Sequence, residues 1–264
     1  MLAETPPMPS FAIPSTRAAA VAAALKDAWR QLPSECPLCG TRAAGGNLCP
    51  PCETDVLWAT HTAALPRCAH CALRLPRQGM ACPDCAAIPP MFVRSVIAFD
   101  YAAPADLLIL QLKQRGQYAR AGLLARLLAA SVRRQGMLDP QTRLVPVPAS
   151  MQSLTRRGFN PSNEIARRLG RELGLPVRRD LLVRTREASV QHTLGRQARS
   201  RNSVALYRAT LPIPGWPVAV VDDVMTTGAT LDAVSRALLD GGAASVTALA
   251  VARTPFPAWH ATAP

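Results

Sequence analysis

From residue 91 onward, runs of continuous or alternating apolar residues take turns with stretches whose apolar residues recur every three or four positions. The first pattern fits strands and the second fits helices, because side chains repeat every two residues along a strand and about every 3.6 along a helix. Phe92 to Tyr101 is β-branched and aromatic and reads as a strand. Two helical patterns follow, Ala105 to Gln114 and Gln117 to Gln135, the second with Leu123, Leu124, Leu127, Leu128 and Val132 on one face. Arg143 to Val147 is a short strand ending at Pro148. Asn160 caps, and Pro161 starts, a helix in which Ile165, Leu169 and Leu173 recur every four residues. Leu181 to Arg184 suits a further strand. Pro217 to Val221 is continuously apolar, as a strand buried on both faces would be. A helix is expected from about Gly228 to Leu239, stopped by Gly241-Gly242, and Ser245 to Ala252 closes the set as a strand. The alternation predicts an α/β domain, a mostly parallel sheet flanked by helices, over residues 91–264.

The chain ahead of it is different. All eight cysteines of the 264 residues lie between 36 and 85, as four Cys-x-x-Cys pairs: Cys36/Cys39, Cys49/Cys52, Cys68/Cys71 and Cys82/Cys85. Two residues between cysteines let both sulfurs of a tight turn face one ion, and two such knuckles complete a tetrahedral zinc site. Four pairs imply two structural zinc ions, paired either in sequence or cross-braced. A disulfide framework would need an export signal, and the chain shows no convincing one. Redox catalysis needs one such pair rather than four. His70 lies between Cys68 and Cys71, but the cysteines already fill both sites. With few large apolar residues, residues 35–90 form a small zinc-ribbon module whose folding leans on the metal. Residues 1–34 are a Pro-rich tail and a short helix from Ser15 or Thr16 to about Leu32.

No apolar run approaches the length of a membrane span, so no membrane insertion and a cytoplasmic location are expected. The formal net charge is +13, and it is unevenly placed: residues 143–208 hold fourteen Arg against four acids. Arginine bias, 28 of the 30 basic residues, explains Arg over Lys but not this clustering. Such a strip attracts polyanions: nucleic acid, a nucleotide or a pyrophosphate-bearing sugar.

The chemistry concentrates in Val220-Val221-Asp222-Asp223-Val224-Met225-Thr226-Thr227-Gly228-Ala229-Thr230. A buried strand, two acids and a Thr/Gly-rich turn open a helix there. Backbone N–H groups and hydroxyls at a helix N-terminus cradle phosphate, and glycine permits close approach. Acids beside a phosphate need another task, such as holding sugar hydroxyls or water on Mg²⁺. The plainer alternative is a core strand whose two acids only cap a turn.

This string resembles the phosphoribosyl pyrophosphate (PRPP) motif of type I phosphoribosyltransferases. The resemblance implies that Asp222 and Asp223 hold the ribose hydroxyls and lie at the catalytic centre, and that Met225, Thr226, Thr227, Gly228, Ala229 and Thr230 wrap the 5′-phosphate. It implies pyrophosphate contacts from the loop after the first core strand, at Arg156, Arg157 and Gly158. A flexible hood would follow over Thr185 to Ser203, with Gln191, Leu194, Arg196, Arg199 and Asn202; the alternative is a solvated basic helix. The whole arrangement resembles the competence protein F family, also called GntX-like: a double zinc ribbon followed by a phosphoribosyltransferase domain. Further matching pieces are Leu112-Lys113-Gln114-Arg115-Gly116, Val145-Pro146-Val147-Pro148 and Arg157-Gly158-Phe159-Asn160. Gln114 and Met225 stand where the family often has Tyr and Leu or Tyr. The resemblance implies Mg²⁺-dependent transfer of phosphoribosyl to an acceptor the sequence does not name, and a link to DNA uptake. A non-turnover sensor, or a factor holding single-stranded DNA or a protein of the competence machinery, is the alternative.

Overall fold

A computed structural model describes residues 31–61, 66–114, 117–136, 138–185 and 206–255, together with residues 24 and 28. The expected N-terminal helix lies almost wholly outside these residues, as do Gln191, Leu194, Arg196, Arg199 and Asn202 of the hood. The chain divides into two compact units, Met1–Cys49 and Pro50–Pro264.

In the first unit, β1 (Pro33–Glu35) pairs antiparallel with β2 (Arg42–Ala44), with Glu35 opposite Arg42. The turn between them is a knuckle: Gly40 N–H donates to the Cys36 carbonyl at 2.9 Å, and Cys36 N–H to the Thr41 carbonyl at 2.8 Å.

The second unit opens with α1 (Pro50–His61) and contains the short α2 (Pro83–Ala87). Its frame is a four-stranded, all-parallel sheet in the order β3 (Arg94–Asp100), β8 (Ser245–Arg253), β7 (Pro217–Met225), β4 (Arg143–Pro146). The central strands carry continuous apolar runs because helices cover both faces. On one face α7 (Ala229–Asp240), with Leu231, Val234 and Leu238, packs on Val218, Val220 and Val246. The antiparallel pair β5 (Leu182–Arg184) and β6 (Tyr207–Ala209) shares that cluster, as do Cys68, Cys71 and Cys82. The other face is covered by α4 (Arg120–Arg134) and α6 (Pro161–Leu173), whose Leu124, Leu128, Ile165 and Leu169 are fully buried. Two shorter helices complete the unit, α3 (Asp106–Leu112) and α5 (Met151–Arg157).

Sheet order positions the site. From β4 the chain leaves through α6 to Val177, which bridges Leu144 in parallel on the edge of β4 away from β7, whereas from β7 it moves the opposite way, through α7, to β8. Where neighbouring connections leave in opposite directions, a crevice opens at the carboxyl ends of the strands, and α/β proteins bind ligands there. β4 stops at Pro146, paired with Val221, whereas β7 runs on to Met225. Residues 222–225 therefore have a strand neighbour only on the β8 side.

Candidate functional site

Asp222 and Asp223 occupy that overhanging end of β7. Asp222 Oδ1 accepts from Ser162 Oγ at 2.9 Å and from the Asp223 N–H at 2.9 Å. Ser162 is in place because Asn160 caps α6: its Oδ1 accepts from Ser162 N–H, and its Nδ2 donates to the Val147 carbonyl after β4. Asp223 Oδ1 accepts from Val224 N–H, and Oδ2 meets Lys113 Nζ at 2.9 Å, the side chains being 14% and 27% exposed.

Burial raises the Asp222 carboxyl to about 7, and the neighbouring Asp223 charge adds to the rise; Ser162, the Asp223 N–H and Lys113 oppose it. Folding then has a defined pH dependence. A free Asp ionises near pH 4, so between about pH 4 and 7 the folded chain holds a proton that the unfolded chain has lost. Stability from this residue falls as pH rises through that window. Asp222→Asn should therefore melt higher than the natural protein at pH 8, by roughly 3 °C or more, with the gain shrinking towards pH 5. A difference in melting temperature that stays constant from pH 5 to 8 would contradict the assignment.

Beyond the acids the chain turns into α7. Gly228 sits in the left-handed region at φ 84°, and a Cβ there would lie 2.9 Å from Met225 Cε, so the turn requires glycine. Thr226, Thr227 and Thr230 are exposed, Gly228 and Ala229 half-buried, and Ala229 N–H reaches Thr227 Oγ1 at 3.3 Å. Met225 is 1% exposed with its side chain in the core, so it can offer a ligand only its backbone. The first acid of α7, Asp232, faces away: its Oδ1 accepts from the Met91 N–H at 2.7 Å. The N-terminus of α7 thus presents N–H groups, hydroxyls and its positive dipole end to an anion, beside two carboxylates able to accept from hydroxyls.

Arg156 and Arg157 lie in the last turn of α5, not in a loop, and Gly158 closes that helix at φ 81°. α5 leaves the carboxyl end of β4, so these residues stand at the crevice end of the sheet. The string after Arg157 is architectural: Phe159 packs edge-on against Tyr118 at 4.7 Å, and Asn160 is the α6 cap.

The cysteines form two four-sulfur clusters, Cys36, Cys39, Cys49, Cys52 and Cys68, Cys71, Cys82, Cys85, so the pairing is sequential. None is in a disulfide. Sulfurs of the second cluster lie 3.8 Å apart for Cys68 and Cys85 and 3.7 Å for Cys71 and Cys82. In the first, Cys39 and Cys49 are 3.5 Å apart. A zinc–sulfur bond of about 2.3 Å gives a tetrahedral edge of about 3.8 Å, so both clusters could hold zinc. Burial pushes the Cys71 thiol up to about 11 and Cys85 higher still, with neighbouring thiolates adding to it. Four thiolates there need a cation among them.

The comparisons with known proteins agree with this geometry. Residues 153–256 match the phosphoribosyl transferase domain. The chain is 35% identical to DNA utilization protein YhgH of Escherichia coli strain K12 over 228 residues, 84% of this chain and 98% of the relative. The YhgH protein of Salmonella typhimurium is 36% identical over 190 residues, covering 71% of this chain and 84% of its own. Competence protein F of Haemophilus influenzae is 29% identical over 216 residues, covering 80% of this chain and 92% of its own. The chain belongs to the competence protein F family. It has that family's two parts, the paired cysteine clusters and a phosphoribosyltransferase domain on a parallel sheet. Among the described residues no helix is long and apolar enough to cross a membrane.

Three residues near the site carried no role in the sequence reading. Lys113 is one of two lysines in a chain whose other 28 basic residues are Arg, a signal in itself. Ser162 follows the helix start Asn160-Pro161 but is an ordinary serine there. Arg253 ends the last strand, and its partners come only from the fold.

Proposed function

We propose that this protein binds PRPP with Mg²⁺ in the crevice above β7 and transfers its phosphoribosyl group to a nucleophilic acceptor. The carrying observation is the delivery of Asp222 and Asp223 by one buried strand directly beside the Gly228 turn and the α7 N-terminus. Vicinal hydroxyls and a 5′-phosphate sit on neighbouring parts of one ribose, and the carboxylates and the turn offer acceptors and donors in that order. In the transfer, the acceptor forms a bond to C1 as the C1–oxygen bond to pyrophosphate breaks, and the acceptor loses a proton. Positive charge grows on the ring, and the Asp223 carboxylate would stabilise it. Lys113 Nζ, 2.9 Å from Asp223 Oδ2, would hold that carboxylate in place until the sugar arrives. Arg156 and Arg157 at the rim would meet the departing pyrophosphate, and Gln191, Arg196 and Arg199 are proposed as further contacts to it from the sequence alone. Bound Mg²⁺, held through its waters by the two carboxylates, would neutralise part of the pyrophosphate charge. The cysteine clusters would each hold a structural zinc ion.

The names of its relatives, DNA utilization protein and Competence protein F, support a role for this activity in the use of DNA. The fourteen arginines of residues 143–208 favour single-stranded DNA as a partner, held by backbone contacts that weaken steeply with salt. Calorimetry with PRPP and Mg²⁺, followed by detection of pyrophosphate release over a panel of bases and amines, tests the proposal. Saturable binding with release for at least one acceptor is expected. Absence of binding would remove it, and binding without release would leave a sensor instead of an enzyme.

A further inference from the structure

Arg253, at the end of β8, is a charged residue only 3% exposed, and it takes no part in the transfer described above. Its Nε donates to the Cys71 carbonyl at 3.0 Å, inside the second cysteine knuckle. Its Nη1 donates to the carbonyls of Met225, at 3.3 Å, and of Thr226, and to that of Thr254 at 2.8 Å. Met225 and Thr226 begin the turn assigned to the 5′-phosphate. One buried guanidinium therefore ties the knuckle to the phosphate turn. A buried charge is expensive unless its donors are satisfied, and here three separate segments converge their carbonyls on it.

The knuckle is built to be held from outside. Cys68 N–H bonds the Leu73 carbonyl at 2.8 Å and Ala72 N–H the Cys68 carbonyl at 2.9 Å, the pattern of the first knuckle. Ala72 has φ 53°, in the left-handed region where the first knuckle places Gly40. An alanine there is strained, so its surroundings must hold it. Arg67 Nη1 grips the Ala72 carbonyl at 2.9 Å, next to the Cys71 carbonyl that Arg253 grips. Asp100 ties Arg67 and Arg74 at 2.7 and 2.6 Å, and it lies beside Arg253 across the β3–β8 ladder. Three arginines and one aspartate give this group a formal charge of plus two. Four thiolates around one divalent cation carry minus two, so the filled cluster complements the group that anchors it.

We infer that Arg253 is a positioning residue: it sets the phosphate turn through the second knuckle, so that occupancy of the second cysteine cluster governs the order of residues 225–230. Any effect on PRPP affinity rests on the proposed function; the effect on the turn does not. Hydrogen exchange of ligand-free, full-length protein reads the turn directly. Arg253→Lys keeps the charge and loses the fork that spans both segments. About tenfold faster exchange at residues 225–230 is expected, the effect of losing roughly one charge-assisted hydrogen bond. Exchange in β4 and the metal content should stay as in the natural protein, and the PRPP dissociation constant should rise about tenfold as well. The second measurement withdraws zinc stepwise with a chelator, and exchange at 225–230 should accelerate with loss of the ion from the second cluster. Unchanged exchange at 225–230 in the variant, or through loss of that ion, overturns the inference. If the variant does not fold, the chelation series decides. If the natural protein fails to bind PRPP, the exchange results still decide this inference, and only the functional proposal falls.

Discussion

Changing Asp222 and Asp223 together to Asn is expected to weaken Mg²⁺-dependent PRPP binding by ~100-fold or more while leaving the protein folded. In the proposed complex each carboxylate would accept from a sugar hydroxyl with charge assistance, and each such bond would contribute roughly 1.5–3 kcal/mol. An amide of the same shape keeps one acceptor and loses the charge. Folding should survive because the amide oxygen of Asn at 222 can still accept from Ser162 and from the backbone N–H of residue 223. The single change at Asp222 is itself expected to stabilise above neutral pH. Calorimetry and a melting curve on one sample separate the effects. Binding within a few-fold of the natural protein, with the fold intact, would remove both residues from the site.

The other large effect concerns the metal. Cys82→Ser should leave one zinc ion per chain instead of two and lower the melting temperature by ~10 °C or more. Cys68, Cys71 and Cys82 are buried in the same apolar cluster as Leu73, Leu75, Phe92 and Leu231. Losing the ion therefore disturbs the main core and not a detached appendage. Structural zinc sites contribute on the order of 10 kcal/mol of binding free energy, and each kcal/mol moves a unit of this size by roughly 2–4 °C. Zinc quantitation with calorimetric melting checks both parts. Two ions retained, or an unchanged melting temperature, would contradict the role given to the cluster.

The elements legible in the sequence were those whose signals are local. Pro217 to Val221, then Gly228, and the Asn160-Pro161 helix start each carry their cause within a few residues, and the structure places them as read. Three helices did not show: α1, the five-residue α2 and α5. In α1, Pro50 and Pro51 read as a turn between cysteines, yet proline suits the first helical positions, where an N–H has no partner to lose. In α5, Arg156 and Arg157 read as loop residues. The helix is only seven residues long, held between the Ser150 cap, whose Oγ accepts from Ser153 N–H, and the left-handed Gly158. In the site, the acids and the phosphate turn were legible because they adjoin one another. Lys113, Ser162 and Arg253 reach it from other helices and strands, so only the packed sheet brings them in. Sulfur spacing left two pairings open, and three-dimensional proximity selects the sequential one.

Crystals of the protein grown or soaked with PRPP and Mg²⁺ put the central claim to its most direct test. The 5′-phosphate is expected on the N–H groups of residues 226–230, with the ribose hydroxyls within hydrogen-bond distance of Asp222 and Asp223. Ligand density elsewhere, or a bound sugar turned away from both carboxylates, would contradict it.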